Sequence, residues 1–430
     1  MSCKPAQIGI AKWSGTFQGF GMSKALEGVR VLDMTHVQSG PSATQLLAWL
    51  GADVIKVEMP RRGDITRTQL RDKSNVDSLY FTMLNANKRS VTLNIKSQQG
   101  QDALVRLIER CDVMVENFGA GVLERQGFSW ARIEAINPRI IYASIKGFAE
   151  ESGLEAKAYE TIAQAMGGAM STTGWRSGPP TAASVQVGDT GTGIHCVAGI
   201  LAALFQRTVT GRGQRVDVAM QDCVMNLLRV KLRDQQRLAS GPLSEYPGAP
   251  ATESVPRAGN ASGGGQPGAA LRCAPGGEND YCYVIIQPQG WAPLMRLIGR
   301  KDLIDDQRFA SHEARAQRID ACFELIEAWT RQRTKFEVIK ALQAIDVPCG
   351  PILSTKDIME DRALYDRGFL VEVPHPERGT YVTVASPIRL SENDVPVERA
   401  PLLGEHTEEV LSWVGFSAED IATMRATGVV

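Results

Sequence analysis

Short β-rich runs alternate with helical runs from Val29 onward, and this alternation constrains the fold more than any other feature of the sequence. Predicted strands cover residues 29–33, 54–57, 90–95, 113–115, 140–144 and 216–219. Such an alternation is typical of a mainly parallel sheet covered by helices. We therefore predict an α/β fold in which functional residues lie in the loops after the carboxyl ends of the strands.

The composition changes after Ser240. The chain has 430 residues, enough for two domains with separate cores. Residues 241–268 are rich in Pro, Gly, Ser and Ala, which predicts a loop or linker. Beyond them we predict a strand at 281–287 and a helix that begins with a capping box of Thr334 and Glu337. These features indicate a second domain.

The charge balance excludes several classes of partner. Lysine and arginine number 47 against 48 acidic residues, with no basic stripe or tail, so neither nucleic acid nor an anionic membrane is an expected partner. The first twenty or so residues lack the apolar run of a secretory signal. No window approaches eighteen apolar residues, so no membrane span is expected.

Cysteine and histidine usage indicates a cytoplasmic protein without a dedicated metal site. The 8 cysteines are scattered, and no pair has CxxC spacing, which favours reduced, buried thiols over a disulfide framework. The 5 histidines form no HxxxH or HExxH pattern. Metal binding is therefore not expected.

Asp189 lies in a glycine-rich run, residues 187–193, ahead of an apolar helical stretch. The flanking glycines leave its backbone free to turn and leave room for a reacting partner. A helix start stabilises an ionised carboxylate, which is what nucleophilic catalysis by aspartate needs. From the local sequence alone, an aspartate that merely caps the helix is the commoner case.

Other candidates also have two interpretations. The glycines 263–265 lack the lysine of a phosphate loop, so they form a linker or a mobile lid over a reactive intermediate. His36 and Gln38 follow a strand, where polar side chains are either caps or ligands. Tyr159 and Glu160 precede a helical stretch, where an acidic residue is favoured by the helix dipole, and His195 is expected to pack within its helix. Six cations lie in or near the loops at the predicted carboxyl edge: Arg61, Arg62, Arg67, Lys96, Arg125 and Lys146. Singly each is expected to be a solvated surface charge, and together they could hold an anionic tail.

Several segments, taken in order, carry a family resemblance. They are LDMTHVQSGP (32–41), LGADVIKVE (50–58), NKRS (87–90), DVMVENF (112–118), TGRGQ (210–214) and APLLGEH (400–406). With them the chain strongly resembles the class III CoA transferases from residue 26 to residue 430. Each segment alone is weak evidence, whereas the ordered set is highly specific.

The resemblance implies an interlocked homodimer of two ring-like chains. Each chain then has a Rossmann-like large domain, built from both ends of the sequence, and a smaller α+β domain. The boundaries that follow are an extension (1–23), the first part of the large domain (24–210), a linker with a long helix (211–243), the small domain with the glycine-rich loop (244–346), a return linker (347–385) and the last part of the large domain (386–430).

The resemblance also implies roles for individual residues. Asp189 matches the family's nucleophile, Gln38 a residue near the reacting acyl group, and Tyr159 and Glu160 a pair that lines the active site. The positions that match the mobile loop over the aspartate are Gly263, Gly264 and Gly265. The positions that contact CoA in the family are His36, Lys96, Asn117, Phe118, Arg125 and Met220.

The implied activity is transfer of CoA from a small acyl-CoA, with formyl-CoA as donor and oxalate as acceptor. CoA enters as part of the substrate, and neither a metal nor a redox cofactor is expected. Gln69 stands where relatives that use formyl-CoA carry tryptophan, so a wider pocket makes acetyl-CoA or succinyl-CoA alternative donors. Met59 replaces an arginine that contacts CoA, for which Arg61 or Arg62 could substitute, and Ser262 replaces the first glycine of the loop.

Two other functions remain to be weighed. An α-methylacyl-CoA racemase of the same superfamily uses a histidine and an aspartate as paired acid and base. Residues 155–160, where that histidine is expected, contain none, so the sequence favours transfer over racemisation. A CoA-binding protein without turnover is disfavoured because Asp189, Gln38 and the glycine run are all present.

Overall fold

A parallel sheet forms the centre of the molecule. The computed structural model describes residues 24–154, 156–243, 246, 254–260 and 267–430. All six strands of the sheet run parallel, in the order β3-β2-β1-β4-β5-β6. They are β1 (Arg30–Asp33), β2 (Asp53–Glu58), β3 (Lys88–Thr92), β4 (Val113–Glu116), β5 (Ile141–Lys146) and β6 (Gln214–Ala219). The predicted α/β fold is confirmed, and the strand order is that of Rossmann-type sheets.

The strands are apolar because helices cover both faces of the sheet. Val31 of β1 pairs with Val54 of β2 and with Val113 of β4, and all three side chains are buried. The helices of this part are α1 (Ser39–Trp49), α2 (Leu79–Leu84), α3 (Gln98–Arg110), α4 (Val122–Arg125), α5 (Trp130–Ile136), α6 (Glu160–Met166), α7 (Ala169–Thr172), α8 (Thr190–Thr210), α9 (Met220–Leu227) and α10 (Arg229–Leu238).

A smaller α+β part follows. Its antiparallel sheet contains β7 (Gly268–Arg272), β8 (Tyr281–Ile285) and β9 (Cys349–Pro351), and a separate hairpin pairs β10 (Leu370–Val373) with β11 (Tyr381–Val384). The remaining helices are α11 (Trp291–Leu297), α12 (His312–Ala316), α13 (Ile319–Thr330), α14 (Lys335–Gln343), α15 (Thr355–Glu360), α16 (Arg362–Asp366), α17 (Thr407–Trp413) and α18 (Ala418–Ala426). Single 3₁₀ turns lie at Ile65–Arg67, Glu150–Ser152, Pro288–Gly290 and Lys301–Leu303. The predicted capping box of Thr334 and Glu337 begins α14.

The large sheet has a separate core on each face. On one face Leu104 of α3 and Met114 of β4 belong to the same cluster as Val410 of α17 and Met424 of α18. On the other face α1, α8 and α9 cover the sheet. Residues from both ends of the chain therefore share one core, which supports a large domain built from both ends. The predicted domain boundaries stay a prediction.

Two details differ from the sequence-based expectation. The prediction of a single long helix over residues 221–238 is wrong, because α9 ends at Leu227 and α10 begins at Arg229, with Leu228 between them at a ψ of −4°. No glycine or proline marks that break. In addition, β6 begins at Gln214, two residues before the strand predicted at residues 216–219, and pairs with β5 along its whole length.

The described cysteines are free thiols, and the longest helix, α8, packs against the core on one side. Of the seven cysteines within the described ranges, six are buried and Cys349 is partly buried, and all are free thiols, as expected. Among the described residues, α8 is the one helix whose length and composition would allow it to cross a membrane. That test is also passed by core helices of soluble proteins, and Cys196, Val197 and Ile200 of α8 are buried in the core beside the sheet.

Candidate active site

The loops that follow β1 and β4 meet at the point where the strand order of the sheet reverses. In open α/β sheets the chain leaves the two strands at this point toward opposite faces of the sheet, and ligands bind in the crevice between the two loops. Asn117, after β4, accepts the backbone N–H of His36 at 2.9 Å and donates to the His36 carbonyl at 2.8 Å. The rings of His36 and Phe118 lie 5.3 Å apart. The predicted group of His36, Asn117 and Phe118 is therefore brought together.

Asp189 immediately precedes α8 but does not cap it. Its side chain makes no capping hydrogen bond, and within the described ranges no hydrogen bond of any kind reaches its carboxylate. The residue is half-buried. Burial, together with the nearby charge of Glu160, raises the pKa of Asp189 to about 7. The structure thus leaves this carboxylate partly desolvated and free to react.

Glu160, the first residue of α6, holds the backbone on which Asp189 stands. Its carboxylate accepts the N–H of Gly188 at 2.9 Å and the N–H of Asp189 at 2.6 Å. Gln164, one turn later, donates to the same carboxylate at 2.7 Å. A Cβ at Gly188 would lie 2.8 Å from the Glu160 carbonyl oxygen, so this approach needs glycine.

Gln38 bonds to Thr190, the residue after Asp189, and to Tyr80, which the sequence did not single out. Its Nε2 donates to Thr190 Oγ1 at 3.1 Å, and its Oε1 accepts the hydroxyl of Tyr80 at 2.9 Å. Burial and the charges of Asp189, Asp64 and Glu160 raise the pKa of Tyr80 to about 12, so it stays a donor at neutral pH. Tyr80 lies on α2, outside every quoted motif, and no local signal in the sequence marks it.

The other predicted residues are more dispersed. Tyr159, Lys96, Arg125 and Gln69 are exposed, whereas Met220 is buried at the start of α9. Gly263, Gly264 and Gly265, together with Ser262, lie outside the described residues. His195 packs as expected, with Nδ1 2.7 Å from the Gly191 carbonyl and Nε2 2.7 Å from Asn226.

Two of the candidate cations are already engaged. Arg67 is buried, pairs with Glu58 at 2.7 Å and lies over the ring of Phe81, so the expectation that it holds an anionic tail is not supported. Lys146 pairs with Glu116 at 2.7 Å. Arg61 and Arg62 are exposed beside Met59. Within the described ranges, no group of three or more His, Cys, Asp or Glu side chains could hold a metal ion.

Comparison with known proteins extends these findings. A family model described as CoA-transferase family III matches residues 26–407. A protein of Streptomyces avermitilis named formyl-CoA:oxalate CoA-transferase is 62% identical over 95% of this chain and 100% of its own length. One of Bradyrhizobium sp. with the same name is 56% identical over 95% of this chain and 97% of its own.

Solved structures agree with the fold. A CAIB/BAIF family protein from Brucella suis is 31% identical, with a TM-score of 0.77, and the match covers 90% of this chain and 99% of the other. A protein from Mycobacterium tuberculosis is 26% identical, with a TM-score of 0.74, over 90% of this chain and 99% of the other.

Proposed function

The chain belongs to CoA-transferase family III, and on that premise we propose that it transfers CoA from formyl-CoA to oxalate, which yields oxalyl-CoA and formate. The observation that carries the proposal is the unbonded, half-buried carboxylate of Asp189 in front of α8. Relatives that are 55–62% identical and named for this reaction support the choice of donor and acceptor.

In the first half of the reaction, a carboxylate oxygen of Asp189 attacks the formyl carbon of formyl-CoA. The carbon–sulfur bond breaks, CoA leaves as thiolate, and a mixed anhydride of Asp189 and formate remains. The thiolate then attacks Asp189 Cγ and breaks the anhydride bond, which releases formate and leaves an aspartyl-CoA thioester. For the first attack, on the formyl carbon, a carboxylate with few solvent contacts is the better nucleophile.

In the second half, a carboxylate oxygen of oxalate attacks Asp189 Cγ and expels the CoA thiolate. The thiolate attacks the oxalyl carbon of the new anhydride, and the carbon–oxygen bond to the aspartate breaks. Oxalyl-CoA forms, and Asp189 returns as a carboxylate. No proton is gained or lost over the cycle, so the residues near Asp189 need to orient and stabilise rather than supply protons.

Gln38 is our candidate for stabilising the charge that develops on the acyl oxygen. Its amide nitrogen carries two hydrogens, and one of them donates to Thr190. Tyr80 occupies its amide oxygen, which fixes the orientation of the amide and leaves the second hydrogen for the substrate. A preoriented donor of this kind lowers the barrier because it needs no reorganisation during the reaction.

We place CoA along the carboxyl edge of the sheet. The tilted rings of His36 and Phe118 offer an apolar surface at the crevice between β1 and β4. Lys96, after β3, and Arg125, on α4, are exposed cations that can hold phosphate groups. Met220, which follows β6, completes the set that we propose for CoA.

A product assay tests the donor and the acceptor together. Purified protein is incubated with oxalate and, in separate reactions, formyl-CoA, succinyl-CoA or acetyl-CoA, and oxalyl-CoA is quantified by chromatography. We expect formyl-CoA to give the highest rate. Gln69 is exposed and carries no ring, which leaves room for a larger acyl group. Preference for succinyl-CoA or acetyl-CoA would therefore identify a sister transferase. Absence of oxalyl-CoA with every donor would contradict the proposal.

Chemical trapping tests Asp189 directly. Hydroxylamine added during turnover should convert the activated side chain of Asp189 into a hydroxamate that mass spectrometry locates. Asp189→Ala should abolish both turnover and the adduct, whereas Asp102→Ala, on an exposed position of α3, should change neither. Full activity of Asp189→Ala would exclude this mechanism.

We further propose that two copies form the interlocked homodimer that the family resemblance implies, in the cytoplasm. Exposed apolar side chains on α8 to α10 support an interface there, namely Ile194, Phe205, Val209, Leu227 and Val230. The free, mostly buried thiols support a reducing compartment.

A further inference from the structure

The loop after β1 carries a β-branched residue in a left-handed conformation. Val37 has a φ of +67°, between His36 and Gln38. For a β-branched side chain this region is strongly disfavoured, and such a conformation persists only where the surrounding structure enforces it. The surrounding structure must therefore hold the loop in place.

A buried ion pair contacts this loop on both sides of His36, at Thr35 and at Val37. Asp64 Oδ1 accepts the backbone N–H of Val37 at 3.2 Å. Lys56 Nζ donates to the carbonyl of Thr35 at 2.7 Å. The two side chains also pair with each other, with 3.0 Å between Lys56 Nζ and Asp64 Oδ2.

Stability alone explains this pair poorly. The exposed fractions of the Lys56 and Asp64 side chains are 0% and 1%. Desolvation of a buried pair can cost more than its attraction returns, so apolar residues of similar volume are often as stable. Burial by itself would lower the pKa of Lys56, but the charges of Asp33, Asp64 and Glu58 raise it, and both members of the pair stay charged.

The consequence of the held loop is the position of Gln38. Its backbone, with φ of −134° and ψ of −51°, leads directly from Val37 into α1. A relaxed Val37 would rotate that backbone and pull the amide away from Tyr80 and Thr190, its two partners. The position of His36 depends less on the Lys56–Asp64 pair, because Asn117 bonds to both the N–H and the carbonyl of His36.

We propose that the Lys56–Asp64 pair is the positioning element of the active site, which keeps Val37 left-handed and thereby aims the Gln38 amide at the acyl group held beside Asp189. This inference rests on the proposed function, because it assigns Gln38 a place next to the reacting acyl group.

Asp64→Asn tests the pair while retaining an oxygen that can accept from Val37. We expect kcat of CoA transfer to fall about tenfold or more, because small misplacements of a reacting group have effects of this size. The KM for formyl-CoA should change less than about twofold, because Asn117 continues to hold His36. Asp357→Asn is the matched control. It alters a less buried pair, 2.7 Å long, between Asp357 on α15 and Lys335 on α14, and should leave kcat unchanged.

A rescue experiment separates positioning from general destabilisation. Glycine adopts positive φ at no steric cost, so Val37→Gly removes the strain that the pair opposes. In the Val37→Gly background, adding Asp64→Asn should lower kcat by less than about threefold, whereas in the parent protein we expect a loss of about tenfold or more. A loss of folding stability alone would give the same factor in both backgrounds.

The outcomes are distinguishable. If the parent protein makes no oxalyl-CoA, the proposed function fails; if it does and Asp64→Asn keeps its kcat within about twofold, only the positioning role fails. An equal loss in both backgrounds would also overturn the positioning role. If Asp64→Asn does not fold, Lys56→Met/Asp64→Asn avoids leaving an unpaired buried charge and is compared with and without Val37→Gly by the same criteria.

Discussion

The carboxylate of Glu160 is the charged neighbour that most affects Asp189. It fixes the Asp189 backbone through two N–H groups, and its negative charge adds to burial in raising the pKa of Asp189 to about 7. Because the reacting form of Asp189 is the carboxylate, kcat/KM should rise as the pH increases through that value.

Glu160→Gln should shift this pH dependence. Removal of the negative charge stabilises the ionised form of Asp189, so its pKa falls and the ascending limb of the kcat/KM profile moves to lower pH. Burial persists, so the midpoint should stay above the ordinary value of an aspartate. The plateau rate should also fall, because Gly188 and Asp189 donate to separate oxygens of Glu160 and an amide offers only one acceptor oxygen. The measurement is a pH–rate profile with formyl-CoA.

Glu408→Gln, on an exposed position of α17, is the control for that change and should leave the profile in place. A profile of Glu160→Gln that coincides with that of the parent, or that moves to higher pH, would show that the charge of Glu160 does not raise the pKa of Asp189.

The packing of α1 against α8 joins Gln38 to Asp189. Gln38 immediately precedes α1 and Asp189 immediately precedes α8, so the distance between these two helix starts sets the geometry of the site. Gly193 permits the close approach. A Cβ there would lie 2.9 Å from the carbonyl oxygen of Ser39 and would overlap the hydroxyl of Ser42.

Gly193→Ala should therefore force the two helices apart. We expect the free energy of unfolding to fall by about 1–3 kcal/mol, the usual cost of overpacking, and kcat to fall with it. Urea denaturation and the product assay measure the two effects. Gly350→Ala, in β9, is a suitable control because no atom lies within 4 Å of the place that the new methyl carbon would take, and its stability should change by less than about 0.5 kcal/mol. Unaltered stability of Gly193→Ala would show that the helices can separate without cost.

At the scale of the whole molecule, α8 contributes to both the core and the surface. Its inner side packs against the sheet, whereas Phe205 and Val209 are 75% and 83% exposed. Side chains of this size left in water favour association, and a second copy is the partner that we propose.

Light scattering coupled to size-exclusion chromatography should give a mass of about twice the 46.7 kDa of one chain. Phe205→Glu should reduce the yield of that species, because it places a charge in the proposed interface. Phe336→Glu, at an exposed position of α14, should not. A parent protein that elutes as a single chain at micromolar concentration would contradict the dimer.

Sequence patterns predicted the fold well where local and global preferences agree. Strands buried on both faces appear as continuous apolar runs, and Thr334 with Glu337 marks a helix start through purely local bonds. The break at Leu228 was not predicted, because no residue there disfavours a helix. Tyr80 was missed for a similar reason, since its role depends on a partner 42 positions away.

The sequence by itself determined the α/β class through periodicity and the family through its ordered motifs, and the family resemblance made Asp189 the candidate nucleophile. Only the tertiary structure decided that Asp189 leaves α8 uncapped, that Glu160 raises its pKa, and that the Lys56–Asp64 pair holds Val37 in a strained conformation. These properties arise from burial and from contacts between distant segments, which local sequence does not encode.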